Sequence, residues 1–507
     1  MPCCRRRDTI IARRQHGAGA GPRDSIQDGT RRSAPRRVVG ARFGFLEGAQ
    51  TIAEHTVTTT VDGKKLYETK APRERAFLVG AELTGGRSAW RAEDSLRELH
   101  LLCNTAGLEV VGSTYQRLKQ PFPKHFIGPG KVEEVAALKD ELKYDVVVFD
   151  DELTPGQTRN VEELIQRRVI DRTTLILDIF AKHARTHEGR VQVELAQYKY
   201  LLPRLRRAWT HLERQAGGGG GSAGGVVGLR GPGETQLEVD RRIIGRRIAW
   251  LEQQIDDIHR QRELHRARRR KSGVPVVALV GYTNAGKSTL LNALAGADVR
   301  AEDRLFATLD PTTRQVELPG GQHMLLTDTV GFIQKLPTQL VAAFRATLEE
   351  IREADLLLHV LDITHPNAEQ QTQTVLDTLH ELKADDRPML TVLNKVDQLQ
   401  GVHQDEIGRM AAELGLPADY IAVSAAKSWG VDVLLRRVES NLALDMDRVH
   451  AFIPYNRNDL LALWHQRGVV DEERYEADGT FINGKLPPLI ADQFQKFLVN
   501  GTSERSV

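Results

Sequence analysis

The string GYTNAGKS, Gly281–Ser288, constrains this chain more than any other segment. It has the pattern G-x-x-x-x-G-K-S, preceded by the apolar run VPVVALV and followed by STLLNAL. A strand that turns through glycines into a helix leaves backbone N–H groups pointing inward, with the positive helix N-terminus behind them. That is a cradle for phosphate oxygens. Lys287 is placed to reach the β- and γ-phosphates, and the Ser288 hydroxyl to sit on Mg²⁺. Gly281, Tyr282, Thr283, Asn284, Ala285 and Gly286, with Thr289 just inside the helix, complete the expected phosphate contacts. A Gly-rich turn carrying a surface lysine is the bland alternative, and the strand before and helix after argue against it.

Three more strings follow in order. LLTDTVGF supplies Asp328, placed to hold Mg²⁺ through water, then Thr329 and Val330, and Gly331, whose N–H can contact a γ-phosphate. TVLNKVD supplies Asn394, Lys395 and Asp397, and IAVSAAK supplies Ser424, Ala425 and Ala426. The Asp397 carboxylate can accept from both N1–H and the 2-amino group of guanine. Adenine offers neither donor and would leave that carboxylate unpaired, so the expected substrate is GTP rather than ATP. Each string alone is weak; four in order, each after an apolar strand, are strong.

The 507 residues fit two to four domains. Cys3, Cys4 and Cys103 cannot staple a disulfide scaffold, and no apolar run approaches the ~20 residues of a membrane span. Net charge is +2, but the average conceals its distribution: residues 1–43 carry 11 Arg against 3 Asp. That segment has too few apolar residues to offset ordering entropy, so residues 1–74 read as a disordered basic extension. Sequence upstream of a natural start at a non-Met codon is the leading reading of the first fifty residues, with a nucleic-acid-binding arm and a transit peptide as rivals.

Residues 75–187 alternate strands with amphipathic helices, as βαβ units and a parallel sheet require. Residues 188–272 read as two long helices around a Gly-rich loop, the first kinked or broken at Pro203. Arg241–Lys271 holds 11 Lys/Arg against 4 Asp/Glu, too lopsided for pairing within one helix, which favours a polyanion partner. Residues 273–444 form the P-loop domain. In 445–507 a helix, YNRNDLLALWHQRG, precedes two short strands around Asp478–Gly479. The expected architecture is α/β and multidomain: a parallel α/β domain, a helical hairpin, a P-loop GTPase domain and a small C-terminal α+β domain.

From Arg75 to Lys485 the sequence resembles the HflX family of ribosome-associated P-loop GTPases, in the translation-factor class and the Obg-HflX superfamily. The GTPase strings alone name a broad class. RGPGETQLE joined to LFATLDPTTR carries the resemblance, with FIGPGKVEEV, DELTPGQTRNVEE and HARTHEGRVQVELAQYKYLLPRL. The resemblance implies a cytoplasmic GTPase, partly ribosome- or membrane-surface-associated, that binds the 50S subunit and splits or rescues stalled 70S ribosomes under stress. It also implies that the loop around Gly217–Glu234 reaches the peptidyl-transferase centre of 23S rRNA, and that Thr308 completes the Mg²⁺ shell, with Thr312 and Thr313 as rivals. Asn284 matches a P-loop asparagine that holds K⁺ in related GTPases; a turn-stabilising role is its alternative. A monomer with GTP/GDP and Mg²⁺, Lys287, Thr308 and Gly331 serving catalysis, is the expectation. A GTP-gated assembly or RNA-binding factor and an ATP-dependent RNA remodeller are the rival functions.

The chain departs from common GTPases at Phe332, where many carry the Gln that orients water. Slow basal hydrolysis, raised by the ribosome, is expected. FIGPGKVEEV resembles a phosphate loop but lacks its full spacing and reads as structural. Cys103 reads as core, His183 and His187 as structural or RNA-facing, and Trp209 and Trp250 as packing between the hairpin helices.

Overall fold

The computed structural model describes residues 57–61, 64–68, 73–84, 90–208, 232–296, 305–306, 308–335, 345–399, 404–416 and 419–499. Residues 1–56, Trp209 and residues 217–231 of the Gly-rich loop, on which several expectations rest, lie outside them. Strands β1 (Val57–Val61) and β2 (Lys64–Glu68) pair antiparallel, within the stretch expected to be disordered.

The first sheet has the order β4 (Glu109–Leu118), β3 (Arg75–Leu83), β5 (Val146–Phe149), β6 (Arg168–Asp171), all parallel. All four residues of β5, VVVF, are buried, as expected of a parallel strand covered on both faces. Local chemistry sets the helix ends. Gly107, at φ 89°, ends the helix Ala92–Ala106. Thr154 and Gln157 form a capping box at Pro155–Ile165, with proline at its first position.

The helix His187–Ala208 runs through Pro203 without the expected break. Its partner, Pro232–Ser272, packs along it through Arg247–Glu194 and Lys199–Glu252 ion pairs, both on the N-terminal side of the proline. The acidic residues missing from the basic helix are therefore partly supplied from outside it: Arg262 meets Glu188 across the hairpin and Glu350 of the helix Arg345–Arg352. Arg241, Arg242 and Arg246 remain exposed. Trp250 does not pack between the helices; it is 44% exposed beneath the Arg247 guanidinium.

The second sheet has the order β12 (Tyr420–Ala422), β11 (Met389–Asn394), β10 (Leu356–Asp362), β7 (Val276–Gly281), β9 (His323–Asp328), β8 (Thr312–Glu317). It is parallel except for β8. Three antiparallel strands, β13 (Asp447–Pro454), β15 (Gly479–Leu486) and β14 (Val469–Tyr475), with the helix Asn458–Arg467, form the C-terminal unit. Of these, β13 has no counterpart in the sequence reading. Among the described residues no helix is long and apolar enough to cross a membrane.

One core joins the first two sheets. Leu99, Ile176 and Phe180 of the first domain pack in the same cluster as Tyr282, Phe306 and Phe332 of the second. Phe180 and Phe306 meet edge to face at 4.7 Å.

Candidate functional site

The four motif strings lie at the carboxyl ends of β7, β9, β11 and β12, the edge where open α/β sheets bind ligands. The loop after β7 is shaped by two glycines that cannot be replaced freely. Gly281 has φ 151°, and a Cβ there would lie 2.3 Å from the Val360 carbonyl oxygen. Gly286 has φ 93°, and its Cβ would lie 2.3 Å from Asn394 Nδ2. Asn284 also holds a left-handed backbone, φ 61°, and its side chain is exposed. Thr289 lies in the first turn of the helix Lys287–Ala295.

Lys287 is 7% exposed and its ammonium donates to the carbonyls of Gly281 (3.1 Å) and Tyr282 (2.8 Å). Burial lowers its pKa to about 8, with Asp328 opposing. Burial likewise raises the Asp328 carboxyl, against Lys287 and two hydroxyl donors. A polyphosphate beside Lys287 and a cation beside Asp328 would each reverse those shifts.

Ser288, Thr308 and Asp328, named separately from sequence, converge. Ser288 Oγ donates to Asp328 Oδ2 at 2.6 Å, and Thr308 Oγ1 donates to the same oxygen at 2.8 Å. The two hydroxyl oxygens are 2.8 Å apart. Asp328 Oδ1 is buried with no hydrogen-bond partner. Three hard oxygen donors and an orphaned carboxylate oxygen fit Mg²⁺. The rivals Thr312 and Thr313 lie on β8, where Thr313 Oγ1 meets Thr327 Oγ1 at 2.9 Å.

Thr329 donates to the Leu279 carbonyl at 2.6 Å, and Val330 is buried. A Cβ on Gly331 would come within 2.9 Å of both Lys287 Nζ and Thr283 Cα. The Phe332 ring is buried in the shared core, and its backbone is tied to the P-loop from both sides. Phe332 N donates to the Gly281 carbonyl (3.1 Å), and Thr283 N to the Phe332 carbonyl (2.8 Å).

Asn394 bridges two loops: Nδ2 donates to the Ala285 carbonyl (2.9 Å) and Oδ1 accepts from Ala425 N (3.0 Å). Lys395 pairs with Asp362 at 2.7 Å, and Asp397 accepts from Ser424 Oγ at 2.7 Å. Ala426 is exposed beside them.

Sequence reasoning missed how closely the first domain borders this site. Tyr282 OH donates to Glu98 at 2.5 Å and its ring stacks on Trp90 at 6.0 Å. Glu98 pairs with buried Arg172, which pairs with Asp150 at 2.8 Å. Lys335 closes the chain on Asp150 at 2.6 Å. Asp310 of the LFATLDPTTR string accepts from the Arg185 and Thr186 backbone N–H groups, each at 2.9 Å. Partners so far apart in sequence leave no periodic signal to read.

The other tempting residues resolve simply. Cys103 is fully buried, and burial pushes its thiol up to about 12. In FIGPGKVEEV, Pro129 opens a helix, Gly128 N donates to Gln116 Oε1 (2.8 Å), and Lys131 pairs with Glu134 (2.8 Å). That arrangement agrees with the structural reading. Among the described residues no cluster of three His, Cys, Asp or Glu could hold a metal ion.

Comparison with known proteins finds relatives along most of the chain. Residues 93–181 match the family profile described as GTP-binding GTPase N-terminal, 183–269 the GTP-binding GTPase middle region, and 276–395 the 50S ribosome-binding GTPase. The "GTPase HflX" of Caldanaerobacter subterraneus is 43% identical over 451 residues, 89% of this chain and 100% of that protein. The "GTPase HflX" of Escherichia coli K12 is 43% identical over 407 residues, 80% of this chain and 92% of that protein. Among solved structures, a GTP-binding protein of Sulfolobus solfataricus in complex with GDP aligns at 25% identity and a TM-score of 0.38, covering 73% of this chain and 98% of that one.

Proposed function

Because this chain belongs to the HflX family of GTPases, we propose that it is a cytoplasmic factor that binds the 50S subunit and uses GTP to split or rescue stalled 70S ribosomes. GTP binding and hydrolysis follow from the family. The ribosomal part is supported chiefly by the match of residues 276–395 to a ribosome-binding GTPase profile. Exposed Arg241, Arg242 and Arg246, on the helix that leaves the Gly-rich loop, suit contact with 23S rRNA phosphates.

In this reading the inward N–H groups of Gly281–Ser288 and the Lys287 ammonium hold the β- and γ-phosphates. Ser288, Thr308 and Asp328 would hold Mg²⁺, which when bound would neutralise phosphoryl charge. The Gly331 N–H faces the γ-phosphate. Asn394, Lys395 and Asp397, with Ser424, Ala425 and Ala426, read guanine. Asn284 is the residue that would face K⁺. Phe332, locked in the core, cannot orient water, so basal turnover is slow and the ribosome raises it.

Cosedimentation with 50S subunits across a salt series, comparing the intact chain with one lacking Ala216–Gly233, tests the ribosomal reading. The intact chain binds, the deletion weakens binding, and salt weakens both. A chain that pellets no better with 50S subunits than without them would overturn it.

A further inference from the structure

We propose that the Thr283 hydroxyl is a catalytic group of GTP hydrolysis in this chain, doing the work for which many GTPases use a glutamine after the glycine of the DTVG string. The inference rests on GTP hydrolysis and is independent of the ribosomal reading.

Phe332 offers no polar side chain to a water. Its ring is 2% exposed, and its N–H and carbonyl are both engaged with the P-loop, so no rotation about this residue brings a polar group toward the phosphates. Some other group must therefore meet the attacking water. Most polar side chains around the loop are already committed. Lys287 donates to two carbonyls, the Ser288 and Thr308 hydroxyls donate to Asp328, and the Thr329 hydroxyl donates to Leu279.

Thr283 differs. The residue is 6% exposed, and its Oγ1 is buried with no hydrogen-bond partner. A buried hydroxyl left unpaired is destabilising. Valine would fill the same space without that cost, so packing alone gives no reason for a hydroxyl here. Its location is also specific. Gly331 is so close to Thr283 that a Cβ on the glycine would meet Thr283 Cγ2 at 3.0 Å and Lys287 Nζ at 2.9 Å. The threonine thus stands beside the ammonium and the N–H that face the γ-phosphate.

A hydroxyl can accept one hydrogen bond and donate another. Here it accepts from the attacking water and donates to a γ-phosphoryl oxygen, fixing the water in line. The water oxygen bonds to the γ-phosphorus while the bond from phosphorus to the β–γ bridging oxygen breaks. The electron pair stays on the β-phosphate of GDP, and the water proton passes to an oxygen of the released phosphate. Thr283 takes no proton. It positions, which is most of what catalysis of phosphoryl transfer requires.

One rival must be separated. Gln334 Oε1 is also buried without a partner, and its backbone N–H is held by Tyr282 OH at 2.8 Å. The test uses the full chain without ribosomes and compares Thr283→Val, Thr283→Ala, Thr283→Ser and Gln334→Ala. Single-turnover hydrolysis of GTP, affinity for a fluorescent GDP, and trapping of GDP with aluminium fluoride are read for each. The two variants lacking the hydroxyl should lose on the order of 10- to 100-fold in rate and fail to trap the fluoride complex, while GDP affinity stays within about threefold. Thr283→Ser should keep the rate within about threefold, and Gln334→Ala should be unaffected. The proposal is overturned if either hydroxyl-free variant that binds GDP normally keeps its rate, if Thr283→Ser falls as far as Thr283→Val, if GDP affinity falls in step with rate, or if the loss appears in Gln334→Ala instead.

Discussion

Replacing Arg172 by methionine probes the polar chain that ties the first domain to the P-loop. The guanidinium is 2% exposed and lies between two buried carboxylates, Asp150 at 2.8 Å and Glu98. At an effective dielectric constant of about 20, a pair this close is worth roughly 5 kcal/mol before desolvation is counted. Removing the cation forfeits two such pairs and leaves the carboxylates buried, a situation that costs about 3–5 kcal/mol in other proteins. Lys335 still neutralises Asp150, so the variant falls near the lower end, about 3 kcal/mol. Glu98 is the group left exposed to the loss, keeping only its bond from Tyr282. Urea unfolding followed through tryptophan fluorescence reads this directly, because Trp90 stacks on Tyr282. Adding Glu98→Gln to Arg172→Met should recover at least about 1.5 kcal/mol relative to the sum of the single losses. A single-variant loss under about 1 kcal/mol, or strict additivity of the two changes, would refute the reasoning.

Further outcomes follow from the same geometry. Gly286→Ala forces an alanine to φ 93° and its Cβ onto Asn394 Nδ2, so GDP affinity measured by fluorescence should fall by on the order of 100-fold. Affinity within threefold of the parent would contradict that. Asp397→Asn should move nucleotide preference from GTP toward xanthosine triphosphate, on the order of 100-fold in relative kcat/KM; unchanged preference would remove Asp397 from guanine recognition. Burial, with a smaller contribution from Lys287, pushes the His359 imidazole down to about 4 from its ordinary 6.5. The unfolded chain therefore takes up a proton that the folded chain refuses, and up to about 3 kcal/mol of stability is lost as pH falls from 6.5 toward 4. His359→Phe should flatten that limb, and an identical acid slope in the variant would show that other groups set it. Lys287→Ala should abolish all nucleotide turnover; ATP turnover surviving in it would revive the remodeller with a site in the first domain.

The parts of the site that lay open in the sequence are those fixed by local backbone requirements. Glycines at 281 and 286 mark positive φ and close approach, and apolar runs before Asp328 and Asn394 mark strand ends. Those features put Ser288 and Asp328 within hydrogen-bond reach of each other, while Thr308, which joins them, was named only through the family resemblance. What stayed hidden depends on tertiary partners. Tyr282 reads as one loop residue among several until Glu98, 184 positions away, accepts from it. The basic helix Pro232–Ser272 looked unpaired because its acids, Glu188 and Glu194, sit on the other arm of the hairpin. Pro203, expected to kink or break its helix, lies inside a continuous one, His187–Ala208.

Sucrose-gradient analysis of 70S ribosomes incubated with the full chain tests the central reading most directly. With GTP, or with a non-hydrolysable analogue, the 70S peak should give way to 30S and 50S peaks, with the chain cosedimenting with 50S; GDP should leave 70S intact. Unsplit 70S ribosomes under all three nucleotides would contradict the account, and immature 50S particles accumulating on deletion would then favour an assembly factor.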